Sequence, residues 1–534
     1  MFCPNCGTQC PDGEQFCPSC GTALEENQPV LELDITPNQE RTAAEGGRRK
    51  ERRSGKKAPQ LSPRIIGIAA VALAAVVVIV LAVSLLGGAG GGGYGDYTSK
   101  PILSLFDSSD SERIYYCGGK EIGAAETEYT LWNQDGSVGV FVNNDGELCV
   151  ITAKGIDVVA DDVGQYQLSA NGAALLYITE DYDVCWYDVK KKSSTTLETG
   201  EDGAQLGQPA PDGSAAVFTL YDGGDYEGFT CGSNKKPVSM GEGLVPFAIS
   251  NKGSYVYYLK VKSGSSSGTL YVSKGSKGEG EKLASDYYMN SVLFNKDATQ
   301  MMFNNDGKTY LTVKGGEKNK VFSSAVYSMF TPDYTVGSSA GGVVPVSDLR
   351  GQTYYTSGGV YFLDSKGESK KITSDFDGFA LSESGSNLIY LKKGDLVKVT
   401  NLAKGTEEDL TDEGDILSFQ AAGDLSVVYY LNRDGELYYQ KGSGKPVEVG
   451  DDVDSFLMVP NSKTCAGISD GQLFVTTGGK STGTPHDLDD VTNFGVQRGV
   501  LLVCQDAGGG SVDIYTMSGA DPKLLVEDFE GYID

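Results

Sequence analysis

From about residue 100 onward, short apolar runs rich in Val, Ile, Leu and Tyr alternate with turns made of Gly, Asp, Asn and Ser. Runs of this length between turn residues predict β-strands, and no long stretch follows the helical period. A Ser-x-x-Gly or Pro-x-Gly turn leads into an apolar run, as at residues 169–172 and 382–385. A Gly-x-Leu-Tyr segment or a near relative follows, as at residues 268–271 and 435–438.

The apolar residue after the second turn recurs with a period near 40. Its positions are separated by 40, 51, 35, 41, 36 and 41 residues: Leu270, Tyr310, Tyr361, Leu396, Leu437, Leu473 and Ile514. A period of this length made only of strands is typical of a β-propeller blade with four antiparallel strands, which buries both faces by stacking against its neighbours. Counting upstream through Cys185 and Leu148 gives about ten modules, more than the usual four to eight blades. Partial modules, two propellers or an unusual blade number are the alternatives.

The first 24 residues predict a zinc ribbon. Two near-identical knuckles, at residues 2–7 and 16–21, flank a Pro-Asp-Gly turn. Each C-x-x-C turn directs two thiolates to one point, so two turns supply a closed tetrahedral site for structural zinc. So small a module cannot bury a core, and metal binding supplies its folding energy. The predicted ligands are Cys3, Cys6, Cys17 and Cys20.

Other interpretations of this segment are weaker. Two disulfides would suit an oxidising compartment, and a redox C-x-x-C motif lacks the βαβ context that it requires. Cys10 is interpreted as a bystander thiol near the site, with a role as alternative ligand as the second reading.

A run of 22 uncharged residues, 65–86, predicts a transmembrane helix, because its length matches the hydrocarbon layer of a bilayer. The residues before it are strongly basic, whereas the residues after it, 87–99, are Gly-rich. The positive-inside rule then places the N-terminus in the cytoplasm and residues 100–534 outside the cell membrane. Residues 25–64 are a predicted cytoplasmic linker that includes the basic juxtamembrane stretch. Its cations are Arg48, Arg49, Lys50, Arg52, Arg53, Lys56, Lys57 and Arg64.

The formal net charge of −28 lies entirely after residue 64, because the preceding segment has nine basic and nine acidic residues. This charge disfavours nucleic acid, anionic lipid and anionic wall polymers as partners of the large domain. Three acidic segments, 222–225, 304–307 and 450–454, are possible but weak calcium sites, since none has full loop-ligand spacing. Solvated turns are the favoured interpretation of all three.

The candidate catalytic chemistry of the outer domain is sparse. His486 is the only histidine, which excludes a multi-histidine metal site, and its polar surroundings predict a surface loop. Cys149, Cys185 and Cys504 lie in apolar runs and are interpreted as buried free thiols, with one or two disulfides as the alternative. Two hypotheses follow: a binding or sensing module, or a hydrolase that uses carboxylates in the propeller channel.

The repeated turns resemble the WD40-like repeats of TolB-type propellers. The whole order resembles uncharacterised single-pass membrane proteins of Gram-positive bacteria, which carry an N-terminal zinc ribbon and an extracytoplasmic propeller of the domain-of-unknown-function kind. This resemblance implies a mainly β fold, an envelope location and a binding role, without catalytic residues. The implied function is a membrane-anchored binding, sensing or scaffold protein, whose propeller meets a protein, peptide or glycan and whose ribbon docks a cytoplasmic protein.

Overall fold

The structure is a computed structural model that describes residues 100–534, except 128, 262–266, 277–279, 289–291, 331–341, 412–413, 460–461, 481–483, 486–487, 519–520 and 534. These residues belong to the second of two compact units, Val71–Asp534. The first unit, Met1–Ala70, lies outside the described residues, as do the predicted zinc ribbon, the linkers and the predicted span 65–86. Within the described part, none of the helical segments has the length and apolar character to cross a bilayer.

The described chain forms eleven four-stranded antiparallel sheets, which we call blades 1 to 11. Blade 1 contains β1 (Ile102–Asp107), β2 (Glu112–Cys117), β3 (Lys120–Ala125) and β44 (Gly531–Ile533). The strands of blades 2 to 6 follow in chain order: β4 (Leu131–Trp132), β5 (Val138–Val142), β6 (Leu148–Thr152), β7 (Gly155–Ala160); β8 (Val163–Leu168), β9 (Ala174–Thr179), β10 (Asp183–Asp188), β11 (Ser193–Thr199); β12 (Gly203–Leu206), β13 (Ala215–Asp222), β14 (Asp225–Gly232), β15 (Pro237–Glu242); β16 (Leu244–Ile249), β17 (Tyr255–Val261), β18 (Gly268–Lys274), β19 (Glu281–Tyr287); β20 (Val292–Phe294), β21 (Gln300–Asn305), β22 (Lys308–Val313) and β23 (Asn319–Phe322).

Blades 7 to 11 repeat the same order, with the first to fourth strands hydrogen-bonded in sequence. Their strands are β24 (Val326–Phe330), β25 (Gln352–Thr356), β26 (Gly359–Leu363), β27 (Ser369–Thr373); β28 (Gly378–Leu381), β29 (Leu388–Lys392), β30 (Asp395–Thr400), β31 (Thr406–Asp409); β32 (Ile416–Ala421), β33 (Val427–Asn432), β34 (Leu437–Lys441), β35 (Val447–Gly450); β36 (Val453–Met458), β37 (Thr464–Ser469), β38 (Gln472–Thr477), β39 (Thr484–Pro485); β40 (Val491–Gln497), β41 (Val500–Gly508), β42 (Ser511–Ser518) and β43 (Asp521–Phe529). A 3-10 turn, Asn251–Gly253, precedes β17.

Eleven hydrophobic clusters join the blades into a ring. Each cluster combines apolar side chains of two consecutive blades, as where Leu176 of blade 3 and Phe218 of blade 4 share one cluster. The cluster of blades 5 and 6 also includes Ala170 of blade 3. The last cluster joins blade 11 to blade 1 through Leu502, Ile514 and Leu105. Because every blade buries both faces against its neighbours, the ring has no exposed sheet face, which is the defining property of a β-propeller. The described domain is therefore an eleven-bladed β-propeller.

Blade 1 closes the ring with strands from the two ends of the described chain. β44 pairs antiparallel with β1, so that Leu105 faces Ile533 and Phe106 faces Tyr532. The side-chain amide of Gln497 adds a reciprocal pair of hydrogen bonds to the backbone of Ser104, at 3.0 and 2.8 Å. This closure resolves the alternatives left by the sequence in favour of one ring with an unusual number of blades.

The first strand of each blade faces the channel. Gln208, just after β12, forms a parallel bridge with Ala248 in β16 of the next blade, and Gln420 in β32 bonds to the backbone of Met458 in β36. Radial sheets converge only near the axis of a ring, so strands that touch their counterparts lie innermost. The fourth strands form the outer rim, and β31 is exposed along its whole length.

The recurring Ser-x-x-Gly turns join neighbouring blades. The hydroxyl of Ser250 accepts a hydrogen bond from the Tyr255 amide and fixes the turn, and Gly253 adopts the positive φ of 68° that an L-residue avoids. Several of these turns then bond to the next one: the Asp212 amide donates to the Asn251 side chain, and the Asn251 amide donates to the Asp297 carbonyl. The predicted motif therefore connects blades as well as starting strands.

All six cysteines of the described part are free thiols, and five of them are buried. The interpretation of Cys149, Cys185 and Cys504 as buried thiols is confirmed. Cys117, which is half-buried, has its sulfur 3.5 Å from the carbonyl oxygen of Lys100.

Burial predicts that the five buried thiols react slowly with alkylating reagents in the folded protein. Loss of solvent raises the pKa of Cys149, Cys231 and Cys504 to about 11. At pH 8 their thiolate population is then at least about a hundredfold smaller than that of an ordinary thiol with a pKa near 8.5. We expect iodoacetamide to alkylate these three cysteines at least a hundredfold more slowly in the native protein than in urea at pH 8. Mass spectrometry measures the alkylation of each cysteine.

The same shift predicts a loss of stability in alkali. A raised pKa means that the fold favours the neutral thiol, so this stabilisation is complete below pH 8.5 and is lost as the pH rises through 11. The midpoint temperature of thermal unfolding should therefore decrease as the pH is raised from 8 to 11. Equal alkylation rates in native and unfolded protein, together with a constant midpoint, would contradict this account.

Candidate functional site: the mouth of the channel

The inner wall of the ring is almost uncharged. The eleven first strands, including β44, contain 52 residues, of which only Asp454 is charged. The eleven fourth strands contain 19 charged residues among 60. Both sets form edges of their sheets, so edge position alone does not explain the difference. The channel wall is therefore chemically distinct from the outer rim.

Five first strands share a register shift at their second residue. The ladder passes directly from Val326 to Ser328 in β24 and from Ile416 to Ser418 in β32. Such shifts are typical of β-bulges, which re-aim a side chain and are common beside functional sites. All five skipped residues are exposed: Gly164, Tyr327, Leu417, Asp454 and Thr492.

These residues lie at one end of the channel, because all first strands run in the same direction. Tyr327 and Leu417 are 52% and 51% exposed there, and Tyr532, the second residue of β44, is 52% exposed. Tyr129 and Tyr288 precede β4 and β20 at the same end and are also exposed. We call these exposed apolar side chains, together with the five skipped residues, the channel mouth.

A packed aromatic cluster supports the mouth at blades 7 and 8. The ring centroids of Tyr327 and Tyr355 are 5.5 Å apart, and those of Tyr355 and Phe376 are 5.7 Å apart. Phe376 contacts Phe379 of β28 at 6.2 Å. An exposed tyrosine held by such a cluster offers a large contact area at a low cost in conformational entropy, which is typical of binding surfaces.

The loops around the mouth are strongly acidic. They connect the second strand to the third within each blade and the fourth strand to the next blade, and we call their surface the acidic face. Its described loop residues include 22 Asp or Glu against two basic residues, Lys393 and Arg433. An aromatic surface surrounded by carboxylates favours a partner with Lys or Arg side chains, through cation–π contacts and ion pairs.

A cavity of about 480 Å³ opens on the acidic face at blades 9 to 11. Asp451, Asp470, Asp489 and Asp490 line it together with Phe474. The Gln472 side chain donates to Asp489 at 3.1 Å, which leaves the cavity with a carboxylate lining and an aromatic wall. The cavity and the channel mouth therefore both combine carboxylates with aromatic side chains.

The structure places some sequence-predicted residues and leaves others outside its described part. The four predicted zinc ligands and His486 lie outside it. Of the acidic segments, 222–225 and 304–307 form tight hairpin turns, and 450–454 links β35 to β36. No group of three or more His, Cys, Asp or Glu side chains among the described residues is placed to hold a metal ion. Calcium stays a prediction.

The hydrolase hypothesis requires convergent buried acids. Among the described residues no Asp or Glu is buried as a whole, and the one buried carboxylate oxygen without a hydrogen-bond partner belongs to Asp415. Sequence reasoning missed the channel mouth. A comparison of charge between aligned first and fourth strands would have found the uncharged channel wall, but the position of the mouth requires strand direction and ladder register.

Comparison with known proteins supports the two parts separately. The family model described as a zinc-ribbon domain matches residues 2–24, so the N-terminus carries a zinc ribbon, which indicates zinc binding. No curated protein matches the chain. The class that these findings define is a zinc-ribbon protein with an eleven-bladed β-propeller.

Among solved structures, TolB from Acinetobacter baumannii is 14% identical, with 44% of this chain and 64% of TolB covered and a TM-score of 0.27. The chain thus spans less than two thirds of that protein. PorZ of Porphyromonas gingivalis is 14% identical, with 74% and 58% covered and a TM-score of 0.28. The C-terminal WD40 domain of Sif2 is 10% identical, with 66% and 97% covered and a TM-score of 0.28. Because TM-scores of 0.27 and 0.28 are too low to assign a fold, the propeller assignment rests on the strand order and the ring closure.

Proposed function

We propose that the protein is a membrane-anchored binding platform whose channel mouth docks a positively charged segment of a protein or peptide outside the cell membrane. The observation that carries the proposal is the coincidence of exposed aromatic side chains with the acidic face. Tyr327 is exposed at the mouth, and Asp375 and Asp377 flank Phe376 of its supporting cluster. A neutral glycan would gain little from these carboxylates.

The remaining parts of the proposal come from the sequence. Residues 65–86 span the membrane with the basic flank in the cytoplasm, and Cys3, Cys6, Cys17 and Cys20 hold a structural zinc ion. A closed four-thiolate site leaves no open coordination position, so the ribbon acts as a docking module for a cytoplasmic protein. The span would couple binding outside to that partner.

The test is site-specific photocrosslinking in cells. A photoreactive residue replaces Tyr327 or Leu417 at the mouth, and Val238 or Leu524 on the fourth strands as matched exposed apolar positions. We expect both mouth positions to capture one partner through a segment that carries Lys or Arg, and the controls not to capture it. Capture of the same partner in equal yield from mouth and control positions would contradict the proposal.

A further inference from the structure

The face opposite the channel mouth carries the reverse charge. The loops that connect the first strand to the second and the third to the fourth define it, and we call it the lysine face. Its described loop residues include 17 Lys or Arg against nine Asp or Glu. The cations are Lys154, Lys190, Lys191, Lys192, Lys235, Lys236, Lys252, Lys296, Lys314, Lys318, Arg350, Lys366, Lys404, Lys445, Lys463, Lys480 and Arg498.

Many of these cations are available to a partner. Lys191 and Lys192 form exposed ion pairs with Asp188 and Asp157. Lys190 and Lys236 are exposed, and the described residues provide no ion pair for them. Exposed pairs contribute little energy and exchange readily with other anions, so the face as a whole attracts negative charge.

The two faces act independently at physiological salt. A strand of six residues is about 20 Å long, whereas the screening length at physiological ionic strength is about 8 Å. A surface that touches the lysine face therefore meets its cations, while the 22 acids of the acidic face are screened. The net charge of −28 alone predicted repulsion from anionic lipid, and the separation of the charges changes that expectation for this face.

The chain enters the propeller at the lysine face. Lys100 lies just before β1, which is the second strand of its blade and therefore starts at this face. The predicted Gly-rich linker, residues 87–99, joins this point to the predicted span. A Gly-rich coil of this length has an end-to-end distance of roughly 20 Å. A membrane anchor would therefore hold the lysine face near the bilayer.

We infer that the lysine face binds the anionic headgroups of the bilayer, which turns the channel mouth away from the membrane. The inference rests on the membrane anchoring of the proposed function. Its physical basis is charge complementarity: each Lys or Arg near an anionic bilayer strengthens binding about fivefold. Orientation follows, because the opposite face carries the carboxylates that such a surface repels.

Vesicle flotation with residues 96–534 tests this inference. All 44 strands and all eleven inter-blade clusters found among the described residues lie in this segment, so it contains the complete ring. We expect it to float with vesicles of phosphatidylcholine and phosphatidylglycerol, and to stay in solution with phosphatidylcholine alone. High salt should release it.

Two variants with equal change in net charge provide the matched comparison. K190Q/K236Q removes two cations from the lysine face, and K393Q/R433Q removes the two described loop cations of the acidic face. We expect the first pair to lower vesicle binding about thirtyfold and the second less than twofold. Equal loss in both pairs, equal binding to both vesicle types, or binding to soluble inorganic polyphosphate without flotation would overturn the inference.

These outcomes are separable from the proposed function. If the propeller fails to float while Tyr327 still crosslinks to its partner, the proposed docking function is supported and the membrane contact is contradicted. If flotation succeeds and crosslinking fails, the membrane contact is supported and the proposed docking function is contradicted.

Discussion

Replacing Cys6 by Ser is expected to abolish stoichiometric zinc binding by the N-terminal ribbon. A structural zinc site loses its tetrahedral shell when one thiolate is removed, and the metal supplies about 10–16 kcal/mol of apparent binding free energy in modules of this kind. Because so short a segment has no core to compensate, the ribbon should unfold. Metal analysis of purified protein and proteolysis of residues 1–24 measure the two effects.

Cys10 provides the matched control for the zinc prediction. Cys10→Ser should keep one zinc ion per chain, because this cysteine lies outside both knuckles. Neither variant should change the thermal midpoint of the propeller. Full zinc occupancy in Cys6→Ser, or its loss in Cys10→Ser, would show that the ligand set is wrong.

Replacing Gly531 by Ala is expected to open the ring. A methyl group at this position would collide with the carbonyl oxygen of Phe106 and lie 2.6 Å from the Phe529 ring. Overpacking of a tight contact costs about 1–3 kcal/mol, and here it also displaces β44 from β1. We expect a loss of about 3 kcal/mol in stability, read by urea denaturation, with the earliest proteolytic cuts in blades 1 and 11.

Gly495→Ala is the corresponding control. This glycine lies in β40 of the neighbouring blade, and an added methyl group would meet only the Ile533 side chain, at an ordinary distance of 3.8 Å. Its stability should stay within about 1 kcal/mol of the wild type. If the two variants unfold at the same urea concentration, closure by β44 does not carry the stability assigned to it.

Much of the fold was predictable because each blade repeats the same local chemistry. The turn residues Ser169, Ser250 and Ser382 each accept a hydrogen bond from the amide five residues later, and each turn glycine has a positive φ. The interval of 51 residues between Tyr310 and Tyr361 arises from the long connection between β24 and β25. The count of about ten modules fell short because blade 1 is divided between distant parts of the chain.

The candidate site was not predictable, because it depends on which end of each strand a loop occupies. Along the chain, acidic loops such as 161–162 and basic loops such as 190–192 follow each other within a few tens of residues. Only the direction of the strands shows that the two kinds of loop lie on opposite faces. The bulged residues Tyr327 and Leu417 likewise require the ladder register. The sequence pattern does not contain that information.

We propose that the chain crosses the membrane once and holds its propeller outside. Asp409→Cys introduces an exposed thiol at the last residue of β31, whereas five of the six cysteines in the described part of the propeller are buried. A membrane-impermeant maleimide should label Asp409→Cys above the wild-type level in intact cells, and Cys10 only after the membrane is permeabilised. Labelling of Asp409→Cys that requires permeabilisation would contradict the account.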